Sequence, residues 1–217
     1  VTDESYEVRV GVRTHPDGST ELLRPSVDGW DSWFRFSPED ARVSGVNHVD
    51  AAGRFLFCRD SRGRDTAALA RIAFADGAAT IIAEDAKADI GSVIVDVESH
   101  EPLAFAVNHE RLRWHALDER LGEEFAWLDA QTIGDWRLAS RTENDRLWVL
   151  VSNSDTRPAR TYIFDRQARS LRDLGSARPE LESAPLAPMR TLTIRSRDGL
   201  DLVSYLTRPL GTAEGVP

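Results

Sequence analysis

The chain has 217 residues, of which 41% are hydrophobic and 29% charged, a composition that suits a globular protein and excludes a disordered or fibrous one. The formal net charge is −9 and no run of lysine or arginine occurs, which excludes the clustered basic face of a nucleic-acid-binding protein. No stretch approaches the roughly 20 apolar residues of a membrane-spanning helix, so we expect neither nucleic acid nor membrane among the partners.

The first predicted elements are strands. Residues 6–12 alternate between apolar and polar side chains, as a half-buried strand does, and a turn at 15–18 leads to two more strand-like runs at 21–23 and 30–36. These resemble the later strands of a unit whose first strand lies upstream of Val1. Since the opening residues also do not resemble a natural N-terminus, we expect the chain to be a piece of a longer protein.

From residue 43 onward the chain repeats. Three apolar runs, at 55–58, 104–107 and 147–151, recur at intervals of roughly 45 residues. Each is preceded by one strand-like run and followed by two more, with turn residues between them. The preceding runs are 43–48, 92–95 and 136–138, and the following runs are 69–72, 114–117 and 161–164, then 80–82, 124–127 and 170–172.

Four short strands in each repeat of this length are typical of a propeller blade. We therefore predict an all-β fold: a partial β-propeller of about three and a half four-stranded blades over 1–178. The predicted blades are roughly 1–42, 43–89, 90–133 and 134–178. Because an open ring leaves blade faces and strand edges uncovered, we expect either a larger protein or a homodimer through the exposed blade edges.

Helical signals are weak along the chain. Residues 39–42 and 118–124 could each form one turn, but neither segment reaches the length of a stable helix. The single cysteine, Cys58, lies in an apolar run and is interpreted as a core residue. One cysteine forms no intrachain disulfide, so no oxidising compartment is indicated and we expect a cytoplasmic protein.

The repeat ends near residue 178. A proline-containing linker at 179–190 precedes two alternating strands around Asp198–Gly199, a pair that favours a tight hairpin turn. The motifs LAPM at 186–189, RDGL at 197–200 and YLT at 205–207, followed by Pro209, resemble the domain junction of the prolyl oligopeptidase family of serine peptidases. The resemblance is to its acylaminoacyl peptidase and dipeptidyl aminopeptidase branch, and DSRGRDTAAL at 60–69 is similar to one of that branch's blades.

This resemblance implies a propeller that filters and positions peptides for a downstream α/β-hydrolase domain with a Ser-His-Asp triad. It implies that residues 191–217 are the first hairpin of that domain. No Gly-x-Ser-x-Gly nucleophile motif occurs in the chain, so no catalytic residue is assigned and the chain alone is expected to be inactive. No paired cysteine or histidine spacing indicates a metal, and no cofactor is expected.

Charged loops between the second and third strands of the blades are the candidate functional positions, because such loops gather on one face of a propeller. They are expected to contact the hydrolase domain or the peptide; solvated surface charge is the alternative. The candidates are Arg62, Arg64, Asp65, Asp155 and Arg157, with 109–111 in the loop between them. A stand-alone propeller-like interaction module without peptidase activity remains the alternative function.

Overall fold

The computed structural model describes residues 1–211, and the last predicted hairpin residues, 212–217, lie outside the described part. The described residues form short strands and one α-helix. The strands are β1 (Gly11–Thr14), β2 (Thr20–Ser26), β3 (Gly29–Phe36), β4 (Gly45–Val49), β5 (Phe55–Asp60), β6 (Ala68–Ala73), β7 (Ala79–Ala83), β8 (Ile90–Val95), β9 (Pro102–Asn108), β10 (Leu112–Ala116), β11 (Asp135–Arg141), β12 (Leu147–Asn153), β13 (Arg160–Asp165), β14 (Ser170–Ser176), β15 (Met189–Arg195) and β16 (Asp201–Thr207). The helix α1 spans Glu119–Ala130.

Within each sheet, strands that are consecutive in the chain pair with one another, so the sheets are simple meanders. Their orders are β1-β2-β3, β4-β5-β6-β7, β8-β9-β10, β11-β12-β13-β14 and β15-β16. This repetition of small meanders confirms the predicted partial propeller. The proposed boundaries between propeller, linker and hairpin, and the homodimer, stay predictions.

The chain divides into two compact units. Among the described residues, one comprises 1–108 and 114–118, and the other comprises 109–113 and 119–211. The division runs through β10.

In the first unit, the sheet β4–β7 is covered on both faces. Alternation along β6 directs Ala70 and Ile72 to one face, where they join a cluster with Leu22 and Phe36 of the β1–β3 sheet. Leu69 points to the opposite face and packs against Ile90 of β8 and Val107 of β9. Consecutive sheets therefore stack through side chains that alternate along a single strand.

In the second unit, α1 replaces a predicted strand. Residues 124–127 were expected to form the fourth strand of the third blade, and that expectation is wrong: they lie within the twelve-residue helix. Leu121, Phe125 and Leu128 recur at the spacing that places side chains on one helical face, and all three are buried. The third sheet accordingly has three strands followed by a helix.

Aromatic contacts fix α1 against the sheet β11–β14. Phe125 meets Trp136 of β11 edge-to-face, with ring centroids 5.3 Å apart. Trp127 stacks on Phe164 of β13 at 5.3 Å, with 18° between the ring planes. This packing stabilises a helix that its own sequence supports only weakly, because most helical stability in proteins comes from an apolar face that is buried.

Charged side chains also connect α1 with the sheet β11–β14. The Arg166 guanidinium donates to both carboxylate oxygens of Glu124 on α1, at 2.7 and 3.1 Å, and to the Asp145 backbone carbonyl at 2.9 Å. It also lies 4.6 Å from the ring centroid of Trp148, whose Nε1 donates to Asp145 at 2.7 Å. Arg166 thereby joins the helix to the turn between β11 and β12.

Replacing Arg166 with alanine is expected to lower the free energy of unfolding by about 2–4 kcal/mol, because Glu124 would keep a largely buried charge without its partner and Asp145 would keep only the longer ion pair with Arg141. Arg169→Ala is the matched control. Its pair with Glu123 is solvent-exposed, so its loss should cost less than about 0.5 kcal/mol. Urea unfolding followed by tryptophan fluorescence would measure both, and equal losses would contradict a special role for Arg166.

The thiol of Cys58 should be unreactive in the folded chain. Its side chain is fully buried, and burial, aided by the nearby Asp60 carboxylate, raises the pKa of the thiol to about 12. At pH 8 only about one molecule in ten thousand would carry the reactive thiolate. Ellman's reagent should therefore modify the thiol only after unfolding in urea, and prompt stoichiometric modification without denaturant would disprove the assignment.

Candidate functional site

The first candidate loop lies between β5 and β6. Arg62 does not project from it into solvent: its Nη2 and Nε donate to the Asp60 carboxylate at 2.6 and 2.9 Å. The guanidinium also lies 4.7 and 5.4 Å from the ring centroids of Phe34 and Phe36. Burial alone would raise the pKa of Asp60, but hydrogen bonds from Arg62 hold it below its ordinary value. Arg62 thus has a structural contact with the preceding sheet.

Arg64 and Asp65 follow in the same loop, and both are exposed. Arg64 forms an ion pair with Glu84, which follows β7. The charge of Arg64 is therefore already paired, whereas Asp65 is an exposed charge of this loop that a ligand or another domain can contact.

The second candidate loop lies between β12 and β13. Asp155 accepts a hydrogen bond from the backbone N–H of Met189 at 2.7 Å and one from Arg111 Nη2 at 3.0 Å. The Met189 bond, with the contribution of Arg111, holds the pKa of Asp155 below its ordinary value despite partial burial. Arg157 does not join this ion pair. It donates to the backbone carbonyl of Thr132, two residues after the end of α1, at 2.5 Å.

A cleft of about 470 Å³ adjoins Asp155. Its lining combines charged and amide groups with the apolar start of the hairpin: Arg111, Asp135, Asn153, Ser154, Asp155, Leu186, Ala187, Met189 and Thr207. A second depression of about 310 Å³ shares Arg111, Asp135 and Asp155 and adds Arg113 and Asp129. No histidine lines either space, so the described groups can hold a polar ligand but provide no serine–histidine pair.

The structure brings together only part of the predicted set. Arg111 and Asp155, from loops between the second and third strands of different sheets, form an ion pair in the second unit. Arg62, Arg64 and Asp65 belong to the first unit, so the gathering of all five candidates on one face stays a prediction.

Sequence reasoning missed Asp129 and Asp135 as cleft residues. Asp129 lies at the end of α1, so its position depends on the helix that was interpreted as a strand, and Asp135 begins β11, one residue before the predicted strand. The spacing of Leu121, Phe125 and Leu128 was the available signal.

Within residues 1–211, no group of three His, Cys, Asp or Glu side chains is arranged to hold a metal ion. No helix in this range has the length and apolar character needed to cross a bilayer.

Comparisons with known proteins identify relatives of the chain. It is 35% identical over 210 residues to dipeptidyl aminopeptidase BIII of Pseudoxanthomonas mexicana, an alignment covering 96% of this chain and 30% of that protein. The chain therefore spans less than a third of the curated relative's length. No protein-family model matches the sequence.

Solved structures of similar fold include a puromycin hydrolase and a prolyl endopeptidase. The hydrolase is 18% identical with a TM-score of 0.54, over 96% of this chain and 33% of that chain. The endopeptidase is 11% identical with a TM-score of 0.52, over 90% of this chain and 30% of that chain. At these identities the likeness shows the shared propeller fold.

The contacts of the loop between β5 and β6 predict different effects on stability for its two arginines. Arg62→Ala should lower the free energy of unfolding by about 1–2 kcal/mol, since it removes the partner of Asp60 and the contacts with two phenylalanine rings. Arg64→Ala should change stability by less than about 0.5 kcal/mol, because its pair is on the surface. Urea denaturation would measure both, and the reverse order would contradict the structural role of Arg62.

Proposed function

The chain is a propeller segment of the prolyl oligopeptidase family of serine peptidases, and from this premise we propose that it filters and positions peptide substrates for a serine hydrolase domain of the same protein. The supporting observation is the 35% identity with a dipeptidyl aminopeptidase, which extends over 96% of the chain. The similarity thus covers the propeller sheets as well as the hairpin β15–β16.

In this proposal the chain contributes binding and exclusion, and the nucleophile belongs to the hydrolase domain. A nucleophilic serine there would form an acyl-enzyme with the peptide and release it by hydrolysis. The stacked sheets provide a rigid support, because their alternating side chains interlock. Loops on such a support can hold charges at defined positions near an incoming peptide.

Arg64 and Asp65 are the candidates whose exposure best suits a contact with the peptide or the hydrolase domain. Asp155 and Arg157 are already engaged within their own unit; Asp155 contributes by lining the cleft. The partners we propose are peptides and the hydrolase domain, in a cytoplasmic protein.

The peptidase part of the proposal is tested by labelling the full gene product with a fluorophosphonate probe. We expect the probe to label one serine outside residues 1–217. The labelled protein should no longer hydrolyse peptides. The 217-residue chain should remain unlabelled under the same conditions. Absence of any labelled serine in the full product would refute the peptidase function and favour an interaction module.

The filtering part is tested by the double variant Arg64→Ala, Asp65→Ala in the full gene product. Hydrolysis of a short peptide anilide and of a peptide of about 30 residues would be compared. We expect kcat/KM to change at least threefold for one of the two, since the variant alters contacts that depend on peptide length. Arg172→Ala, which removes an exposed charge on β14, is the control; unchanged kinetics in the double variant would exclude a substrate role.

A further inference from the structure

The hairpin β15–β16 has little hydrophobic support in this chain. It forms a sheet of only two strands, which is marginally stable in water by itself. Leu192, Ile194 and Leu202 are 42%, 51% and 47% exposed. Since so much of its apolar surface remains in water, polar contacts must contribute most of what holds the hairpin in place.

The strongest of these contacts lies at the first residue of β15. The backbone N–H of Met189 donates to Asp155 Oδ2 at 2.7 Å, and the Met189 carbonyl accepts from Arg111 Nη2 at 3.4 Å. The same Arg111 nitrogen donates to the same Asp155 oxygen at 3.0 Å. One ion pair therefore binds both backbone polar groups of a single hairpin residue.

The two side chains of this pair come from different loops. Arg111 lies between β9 and β10, and Asp155 lies between β12 and β13. Their side chains are only 31% and 19% exposed, so the pair is partly shielded from water. Hydrogen bonds with a charged partner are about twice as strong as neutral ones, which makes this the principal attachment of β15.

A second attachment secures β16. The hydroxyl of Tyr205 donates to the backbone carbonyl of Glu110 at 2.9 Å and lies 3.1 Å from that of His109. Tyr205 is two residues from Thr207, the partner of Met189 in the hairpin register. Both attachments are thus near the open end of the hairpin and involve the same loop, 109–111.

The opposite end of the hairpin makes its polar contacts internally. Arg195 pairs with Asp201 at 2.8 Å, and the Ser196 hydroxyl donates to the Leu200 carbonyl at 3.0 Å. A seven-residue strand is about 20 Å long, so the Asp198–Gly199 turn is far from the attached end. The hairpin is therefore attached to the rest of its unit at its open end, whereas the polar contacts given for its turn end lie within the hairpin.

We propose that the Arg111–Asp155 ion pair is a clasp that holds the open end of the hairpin on the two loops, and that opening it releases the hairpin as a unit. The cleft beside it is lined by Met189 and Thr207 of the hairpin and by Asn153 and Asp155 from the end of β12 and the loop after it. Opening the clasp would therefore also widen this cleft. The clasp depends only on contacts within this chain and not on the proposed peptidase function.

Hydrogen–deuterium exchange of the 217-residue chain tests the clasp. In Asp155→Ala, amides of 189–207 should exchange roughly tenfold faster or more, because the charge-assisted bonds that restrain the hairpin are lost. Amides of β12 and β13 should keep their protection. The expected pattern is a local release and not a general loss of stability.

Asp165→Ala is the matched control. Asp165 is also 19% exposed on its side chain and pairs with Arg146 at 2.8 Å, but this pair joins the end of β13 to the turn before the neighbouring strand β12. It should leave exchange in 189–207 unchanged. Equal hairpin exchange in the two variants would overturn the clasp.

Arg111→Met provides a second variant in case Asp155→Ala unfolds. It removes the arginine bonds and keeps the bond between Asp155 and the Met189 N–H, so hairpin exchange should accelerate less than in Asp155→Ala. Combining it with Tyr205→Phe should accelerate exchange further, since both attachments are then weakened. Hairpin protection equal to the parent chain in Arg111→Met, or global unfolding in both single variants, would contradict the proposal.

Discussion

A small β-sheet with apolar side chains on both faces is stable in water only when both faces are covered, and most of this structure follows from that requirement. Along β6, Leu69 packs against the following sheet, while Ala70 and Ile72 pack against the preceding one. A strand that alternates in this way demands a neighbour on each side. Stacking of successive sheets is therefore a consequence of the apolar pattern within each one.

The helix α1 meets the same requirement by other means. In the second unit it lays Phe125 and Trp127 on β11 and β13. Arg166 adds an ion pair from the sheet to Glu124 of the helix. A buried face can evidently be covered by a helix as well as by another strand, since hydrophobic burial is not directional and depends on the apolar area removed from water.

Charges in this chain divide between those that support the fold and those that remain in solvent. Arg62, Asp155 and Arg166 each bind specific groups on other elements. Arg64 and Asp65 remain exposed. The distinction bears on function, because Arg62 cannot reach a substrate without breaking contacts with a carboxylate and two aromatic rings, whereas Arg64 would break only its ion pair with Glu84 and Asp65 lies exposed.

The sequence by itself determined the repeated strands, the propeller class, the buried character of Cys58 and the family resemblance, because these depend on local alternation and on short motifs. It did not determine α1, since 124–127 is compatible with a strand until its neighbours show which face must be covered. Nor did it determine the pairing of Arg111 with Asp155, which are 44 residues apart. Only the tertiary structure decided these features, because packing between distant segments selects among local conformations of similar free energy and brings loop charges together.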